Sequence, residues 1–220
     1  MSLTLYYHPL ASYCHKVLIA LYENGTPFEK RLIDLGQADD RATLAAAWPP
    51  VRFPVLRDHT RQRDVPESTI IIEYLDHHFP GHRPLIPTDW DDALDVRLWE
   101  RFFDDYVQDP MQRIVADRLY HTQADLAPQR TMLGTAYGML ERRLGSRTWV
   151  AGPGFSMADC AAAPALFYAS TLVTIPPDHH HLHAYFTRLM DRPSVRRVLE
   201  EAKPYFRFYP FQEAIPQRFR

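Results

Sequence analysis

The chain contains little cysteine, little net charge and no long apolar run. Only Cys14 and Cys160 are present among its 220 residues, and two thiols so far apart in sequence do not form a disulfide framework. The net charge of -2 gives no bulk attraction to nucleic acid or to an anionic membrane. No apolar run approaches the roughly 20 residues that span a bilayer, and no signal peptide is recognisable. We therefore expect a cytoplasmic protein without a nucleic-acid or membrane partner.

Short apolar runs alternate with helical patterns up to residue 80. They predict strands at residues 3–7, 28–35, 54–56 and 63–65. A helix around Val17 is predicted to end at Asn24-Gly25-Thr26-Pro27, and further helices are predicted over 40–47 and 68–79. The order β-α-β-α-β-β-α predicts a small α/β domain over residues 1–80, whose β-α-β start implies a parallel strand pair.

A proline-rich stretch separates this part from a helical second half. We interpret residues 81–90 as a linker and residues 91–220 as an all-helical domain. Asp104 and Asp105 are expected on a solvated helix face. The run His179–His181 shows no matched set of metal ligands, so we expect a solvated loop or a helix start there, and no metal.

Two short segments of the first half are suited to holding a peptide-like ligand. Pro54 directly precedes an apolar strand, and a cis Phe53–Pro54 bond would present the backbone N–H and C=O of Phe53 to an extended peptide. Glu67 and Ser68 stand where a helix begins. Unpaired N–H groups and a serine hydroxyl there can hold a carboxylate, and the Glu67 carboxylate can receive an ammonium group.

A third segment, Tyr7-His8-Pro9-Leu10-Ala11-Ser12-Tyr13-Cys14, joins the first strand to the first helix. We predict Ser12 as the helix N-cap, so that its hydroxyl and the nearby N–H groups face a site suited to an anion such as a thiolate. The helix N-terminus can lower the pKa of a thiol, which is about 8.5 when unperturbed.

Together these segments resemble the cytosolic glutathione transferase family, most strongly over residues 3–79. The resemblance implies a thioredoxin-like N-terminal domain, an all-helical C-terminal domain, a homodimer and glutathione as co-substrate. It implies that Phe53, before a cis Pro54, pairs with the cysteinyl backbone of glutathione, and that Glu67 and Ser68 bind its γ-glutamyl end. Ser156 and Asp159 match the family's capping box, a structural role.

The resemblance implies an enzyme that activates the glutathione thiol for attack on a small hydrophobic electrophile. Candidate walls of the electrophile pocket are Tyr7, Leu10, Tyr106 and Tyr120. Three residues compete for control of the thiol. Ser12 is preferred, as in serine-type classes such as theta, Tyr7 is second, and Cys14 is third because free cysteines usually pack in the core.

The stretch before Pro54 departs from the family pattern. It contains Trp48-Pro49-Pro50-Val51, without the usual Asn and Gly. Arg52 is a candidate for the glycine carboxylate of glutathione. Two other functions stay open: a non-catalytic interaction protein that kept the fold, like the starvation-response regulators, and a Cys14-dependent glutathione oxidoreductase or lyase.

Overall fold

The computed structural model describes residues 2–220. The chain divides into two compact units, the first ending at Ile86 and the second running from Pro87 to Arg220. This division falls inside the stretch 81–90 that the sequence predicts to be a linker. Asp76 accepts hydrogen bonds from the backbone N–H groups of Leu85 and Ile86 at 2.9 and 3.1 Å. The last two residues of the first unit are therefore hydrogen-bonded to another residue of that unit.

A four-stranded sheet forms the centre of the first unit. Its strands are β1 (Leu3–Tyr7), β2 (Glu29–Leu32), β3 (Val55–Asp58) and β4 (Arg63–Pro66). The strand order is β2-β1-β3-β4. The pair β1–β2 is parallel, as the β-α-β start predicts, and the other two pairs are antiparallel.

Three helices complete the first unit: α1 (Ser12–Asn24), α2 (Ala38–Ala47) and α3 (Ser68–His78). The predicted stop of α1 is confirmed at Gly25, which has φ 62° and donates its N–H to Leu21 and Tyr22 carbonyls. A glycine adopts this left-handed conformation without steric cost. The Phe53–Pro54 peptide bond is cis, as predicted.

The second unit is helical, so the two-part fold class predicted from the sequence is confirmed. Its helices are α4 (Trp90–Phe102), α5 (Asp109–Tyr120), α6 (Ala127–Leu144), α7 (Met157–Ser170), α8 (His180–Met190) and α9 (Pro193–Ala202). A π-helical segment, Phe103–Gln108, separates α4 from α5. His180 and His181 open α8, in agreement with the predicted helix start. Within residues 2–220, no helix is long and apolar enough to cross a membrane.

The start of α7 confirms the predicted capping box. The backbone N–H and the hydroxyl of Ser156 both donate to Asp159 Oδ2, at 2.9 and 3.0 Å. Asp159 Oδ1 accepts from the Tyr185 hydroxyl at 2.6 Å and from the Val150 N–H at 3.3 Å. Asp159 is completely buried, and this burial raises its pKa to about 6.

One expectation for the second unit is wrong. Asp104 is buried, with 7% of its surface exposed, whereas its neighbour Asp105 is exposed as predicted. Asp104 is the second residue of the π-helical segment, whose wider turn departs from the 3.6-residue period of an α-helix. Asp104 thereby falls on the buried side of a segment that packs against α7.

Candidate functional site

Strand pairing brings the three predicted site segments to one end of the sheet. Tyr6 pairs with Val55, and Val55 pairs with Pro66. Because both pairings are antiparallel, the residues that follow β1, precede β3 and follow β4 emerge at the same end. The three segments at this end are the last residue of β1 with the turn after it, Tyr7–Ser12, the residues Phe53–Pro54 before β3, and the residues Glu67–Ser68 after β4.

A ring contact between His8 and Phe53 joins two of these segments. The rings are stacked, with centroids 5.8 Å apart and an interplanar angle of 17°. Leu10 donates its backbone N–H to His8 Nδ1 at 3.2 Å. Burial lowers the pKa of His8, while the negative charge of Asp34 acts in the opposite direction. The site therefore contains an oriented imidazole in which the charged form is disfavoured.

The turn before α1 differs from the prediction in one respect. Ala11 is the N-cap and Ser12 is the first helical residue, so the prediction of Ser12 as N-cap is wrong. The helical hydrogen bonds begin from the Ala11 carbonyl, which accepts from Cys14 and His15 N–H groups at 2.9 and 3.0 Å. Ser12 is 3% exposed, and Tyr7 is half-buried at the end of β1.

Cys14 is unsuited to thiolate chemistry. Its side chain is completely buried, and this burial raises its pKa to about 12. Since the thiolate is the reactive form of cysteine, almost none is present near neutral pH. The structure therefore opposes the oxidoreductase or lyase interpretation.

The start of α3 has an unusual backbone. Glu67 is its N-cap, with φ 68° and ψ 120°, a conformation that non-glycine residues rarely adopt. Such strained residues cluster at functional sites. Glu67 is exposed and Ser68 is 6% exposed. Together they offer a carboxylate for an ammonium group, and a hydroxyl with helix N–H groups for a carboxylate.

A buried lysine joins α1 to this helix start. Lys16 is 1% exposed, and its Nζ donates to Thr69 Oγ1 at 3.1 Å. Thr69 directly follows Ser68 in α3. The position of the α3 start is therefore coupled to α1, the helix that follows the Tyr7–Ser12 turn.

The altered stretch before Pro54 packs as part of the hydrophobic core. Trp48, Val51 and Phe53 contact a buried cluster formed by Ile33, Leu44 and Val55. Val51 has φ 56°, the left-handed region that favours glycine and is most strained for a β-branched residue. The backbone thus adopts a glycine-type conformation without a glycine.

The remaining predicted residues are distributed over both units. Arg52 is exposed and Leu10 is half-buried in the first unit. In the second unit, Tyr106 lies in the π-helical segment and is 47% exposed, and Tyr120 ends α5 and is 76% exposed. Among residues 2–220, no group of three or more His, Cys, Asp or Glu side chains is arranged to hold a metal.

Sequence reasoning missed two residues near the site. His8 could have been recognised from the sequence, because it is a titratable residue directly after a predicted strand. Lys16 carried no usable signal, because a lysine in an apolar helix is ordinarily assigned to the solvent face.

Comparison with known families assigns both parts of the chain. Residues 5–83 match the family model of the glutathione S-transferase N-terminal domain. Residues 102–193 match that of the glutathione S-transferase C-terminal domain.

One curated relative gives the same family assignment, a second has a different name, and a solved structure has the same fold. The chain is 34% identical to a "Probable glutathione S-transferase" of Oryza sativa subsp. japonica, over 69% of this chain and 68% of that protein. It is 27% identical to a stringent starvation protein A homolog of Coxiella burnetii, over 93% of this chain and 95% of that protein. A glutathione-bound glutathione S-transferase from Methylobacillus flagellatus has the same fold, with a TM-score of 0.78 at 24% identity over 90% of this chain and 98% of that one.

Proposed function

Because the chain belongs to the glutathione S-transferase family, we propose that it binds glutathione at the sheet end described above and activates the thiol for attack on a small hydrophobic electrophile. The Phe53 backbone pairs with the cysteinyl part of glutathione. Glu67 receives the γ-glutamyl ammonium group, while Ser68 and the α3 N-terminus hold its carboxylate. The exposed Arg52 binds the glycine carboxylate.

Thiol activation is assigned to a hydroxyl donor. Ser12 donates to the sulfur and favours its thiolate form, with Tyr7 as the second candidate. Each unit by which the thiol pKa falls corresponds to about 1.4 kcal/mol of preferential thiolate stabilisation. The protein contributes proximity and a lowered pKa, and the glutathione sulfur is the nucleophile. Tyr7, Leu10, Tyr106 and Tyr120 are retained as candidate electrophile contacts, to be tested by substitution.

The convergence of the three segments carries the proposal. The register of β1, β3 and β4 supports it, because a tripeptide ligand needs a backbone partner and an anion site at one end of the sheet. The strained Glu67 backbone is a second support.

A glutathione titration followed by an electrophile panel tests this proposal. We expect saturable binding of glutathione by calorimetry and conjugation of glutathione to at least one aryl halide or epoxide. Glu67→Gln should weaken glutathione binding, because the γ-glutamyl ammonium group loses its anionic partner. Glu213→Gln, an equivalent change at an exposed residue of the second unit, should not. Lack of glutathione binding by the unsubstituted protein would contradict the proposal.

A non-catalytic interaction protein is the second candidate. The end-to-end similarity to the stringent starvation protein A homolog favours it, as does the altered stretch Trp48–Val51. Glutathione binding without turnover of any electrophile in the panel would favour this function over transfer. In either case we propose a cytoplasmic homodimer, and for the enzyme a role in detoxification.

A further inference from the structure

Residues 203–220 of the second unit form a concave site to which the proposed function assigns no role. Its volume is about 400 Å³, within the range of roughly 300–1,000 Å³ found for small-ligand sites. We propose that this cavity binds a free α-amino acid with an apolar side chain. The residues that line it are Lys203, Phe206, Gln212, Glu213 and Arg220.

Two cations of the cavity attract the carboxylate of such a ligand. Lys203 Nζ lies 4.0 Å from Glu200 Oε2, with the two side chains 42% and 69% exposed. A solvated pair of this kind contributes little, so the ammonium group can turn toward a ligand. Arg220 donates from Nε to the Ile215 carbonyl at 2.6 Å and from Nη2 to the Glu213 carbonyl. These bonds hold the guanidinium in place and leave three of its five N–H donors for other partners.

Glu213 provides the opposite charge in the same cavity. The lining therefore carries two positive charges and one negative charge. An amino-acid zwitterion matches both signs, because its carboxylate is attracted to the cations and its ammonium group to Glu213. A simple carboxylate would leave Glu213 without a partner in the ligand, and a simple amine would meet two like charges.

Phe206 gives the cavity its apolar contact. The residue is 5% exposed, and its ring stacks on Phe167 with centroids 5.9 Å apart and an interplanar angle of 26°. An apolar ligand side chain in the cavity covers the rest of this ring and loses its own contact with water. A ligand without such a side chain gains only charge interactions, which are weak at exposed sites. The cavity should therefore prefer phenylalanine or leucine to glycine.

Four small probes separate the three contacts. L-phenylalanine has all three groups, hydrocinnamate lacks the ammonium group, phenethylamine lacks the carboxylate, and glycine lacks the side chain. Nuclear magnetic resonance titration of the isotope-labelled full-length protein measures a dissociation constant for each probe. We expect phenylalanine to bind most tightly, and glycine to bind about tenfold more weakly because no apolar surface is buried.

Lys203→Gln and Glu213→Gln should have opposite effects on the two probes with a single charge. Lys203→Gln should weaken hydrocinnamate binding about threefold and leave phenethylamine binding unweakened, and Glu213→Gln should do the reverse. Each should weaken phenylalanine binding about threefold. Lys203 is chosen because Arg220 also holds two carbonyls of its own segment. Arg218→Gln, at an exposed residue that does not line the cavity, should change none of the four affinities.

Three results would overturn the proposal. They are no binding of phenylalanine, equal affinities for phenylalanine and glycine, and equal effects of Lys203→Gln on hydrocinnamate and phenethylamine. Glu67→Gln tests whether phenylalanine occupies the proposed glutathione site instead, since its charged groups resemble those of the γ-glutamyl end. We expect unchanged phenylalanine affinity in this variant, and a loss there would also overturn the proposal.

Discussion

Lys16 Nζ donates a hydrogen bond to Thr69 Oγ1 across the interface of α1 and α3, at 3.1 Å and with the lysine 1% exposed. The contact stabilises the first turn of α3, where Glu67 and Ser68 lie. A lysine this deep is costly to bury unless its ammonium group is hydrogen-bonded. The site thus depends on a contact that does not itself touch the proposed ligand.

A double-mutant cycle measures this contact. Lys16→Met and Thr69→Val should each lower the free energy of unfolding, with a coupling energy of about 1–2 kcal/mol, typical of a buried hydrogen bond to a charged group. The measurement is urea unfolding followed by circular dichroism. The exposed pair Lys203 and Glu200, 4.0 Å apart, provides a control cycle with coupling below about 0.5 kcal/mol. Equal coupling in the two cycles would contradict the prediction.

Asp159 should make stability depend on pH. Its pKa rises on folding from the ordinary 3.8 to about 6, so between these values the folded state binds more protons than the unfolded state. The free energy of unfolding therefore falls as pH increases through this window, by up to about 3 kcal/mol from this group. Urea unfolding at a series of pH values measures the slope.

Asp159→Asn isolates this contribution. The variant should be less stable overall, because an amide NH2 cannot accept hydrogen bonds from Ser156. Its stability should nevertheless fall less between about pH 4 and about pH 6. Asp178→Asn, at an exposed position, should keep the original slope. Identical slopes in Asp159→Asn and the unsubstituted protein would refute the assignment of this pKa.

Local signals were sufficient to predict much of the fold. The bounds of β1, the Gly25 stop of α1 and the Ser156–Asp159 capping box are each encoded within a few residues and are confirmed. The order of strands and helices follows from hydrophobic periodicity in the same way.

Features set by distant contacts were not predictable. Ser12 and Ala11 are both small residues, and the hydrogen bonds of the Ala11 carbonyl decide which is the N-cap. Val51 is β-branched, a residue type that disfavours a positive φ, so its own identity gave no signal for the φ of 56° that it adopts where the stretch packs on the core. Which residues around Asp104 are buried depends on the π-helical turn and on packing against α7. Neither can be inferred from the spacing of apolar residues in the sequence.

Ser12 should control the thiol more than Tyr7 does. Ser12→Ala should raise the pKa of bound glutathione by about one unit and reduce turnover, because the thiolate loses a hydroxyl donor, while glutathione affinity stays nearly intact. Tyr7→Phe should have a much smaller effect. Thiolate absorbance against pH and steady-state turnover measure both. A large loss of turnover in Tyr7→Phe together with a small loss in Ser12→Ala would reverse the assignment.

The two cysteines should be inert in the folded protein. Both are buried, and the pKa of Cys14 is raised to about 12. Iodoacetamide at neutral pH should therefore label neither in native protein and both in denaturant, as read by intact mass. Incubation with oxidised glutathione should give no mixed disulfide. Rapid native labelling of Cys14 would reinstate the oxidoreductase interpretation.

Homodimer formation is the remaining prediction, and exposed apolar side chains identify where to test it. Ile70 on α3 is 52% exposed, and Leu94 and Leu98 on α4 are 51% and 60% exposed. Leu94 and Leu98 are four residues apart and share one helix face. Apolar surface grouped in this way marks an interaction site more often than single exposed residues do.

In the predicted dimer, α3 of one subunit packs against α4 of the other, and the two-fold axis repeats the contact. Light scattering at moderate salt should give a dimer mass. Ile70→Asp or Leu98→Asp should shift it toward the monomer, because a buried unpaired carboxylate opposes association. Met132→Asp, at a 38% exposed residue of α6, should stay dimeric. Since α3 begins at Ser68, the monomeric variants should also bind glutathione more weakly. A monomeric unsubstituted protein that binds glutathione would refute both the dimer and this coupling.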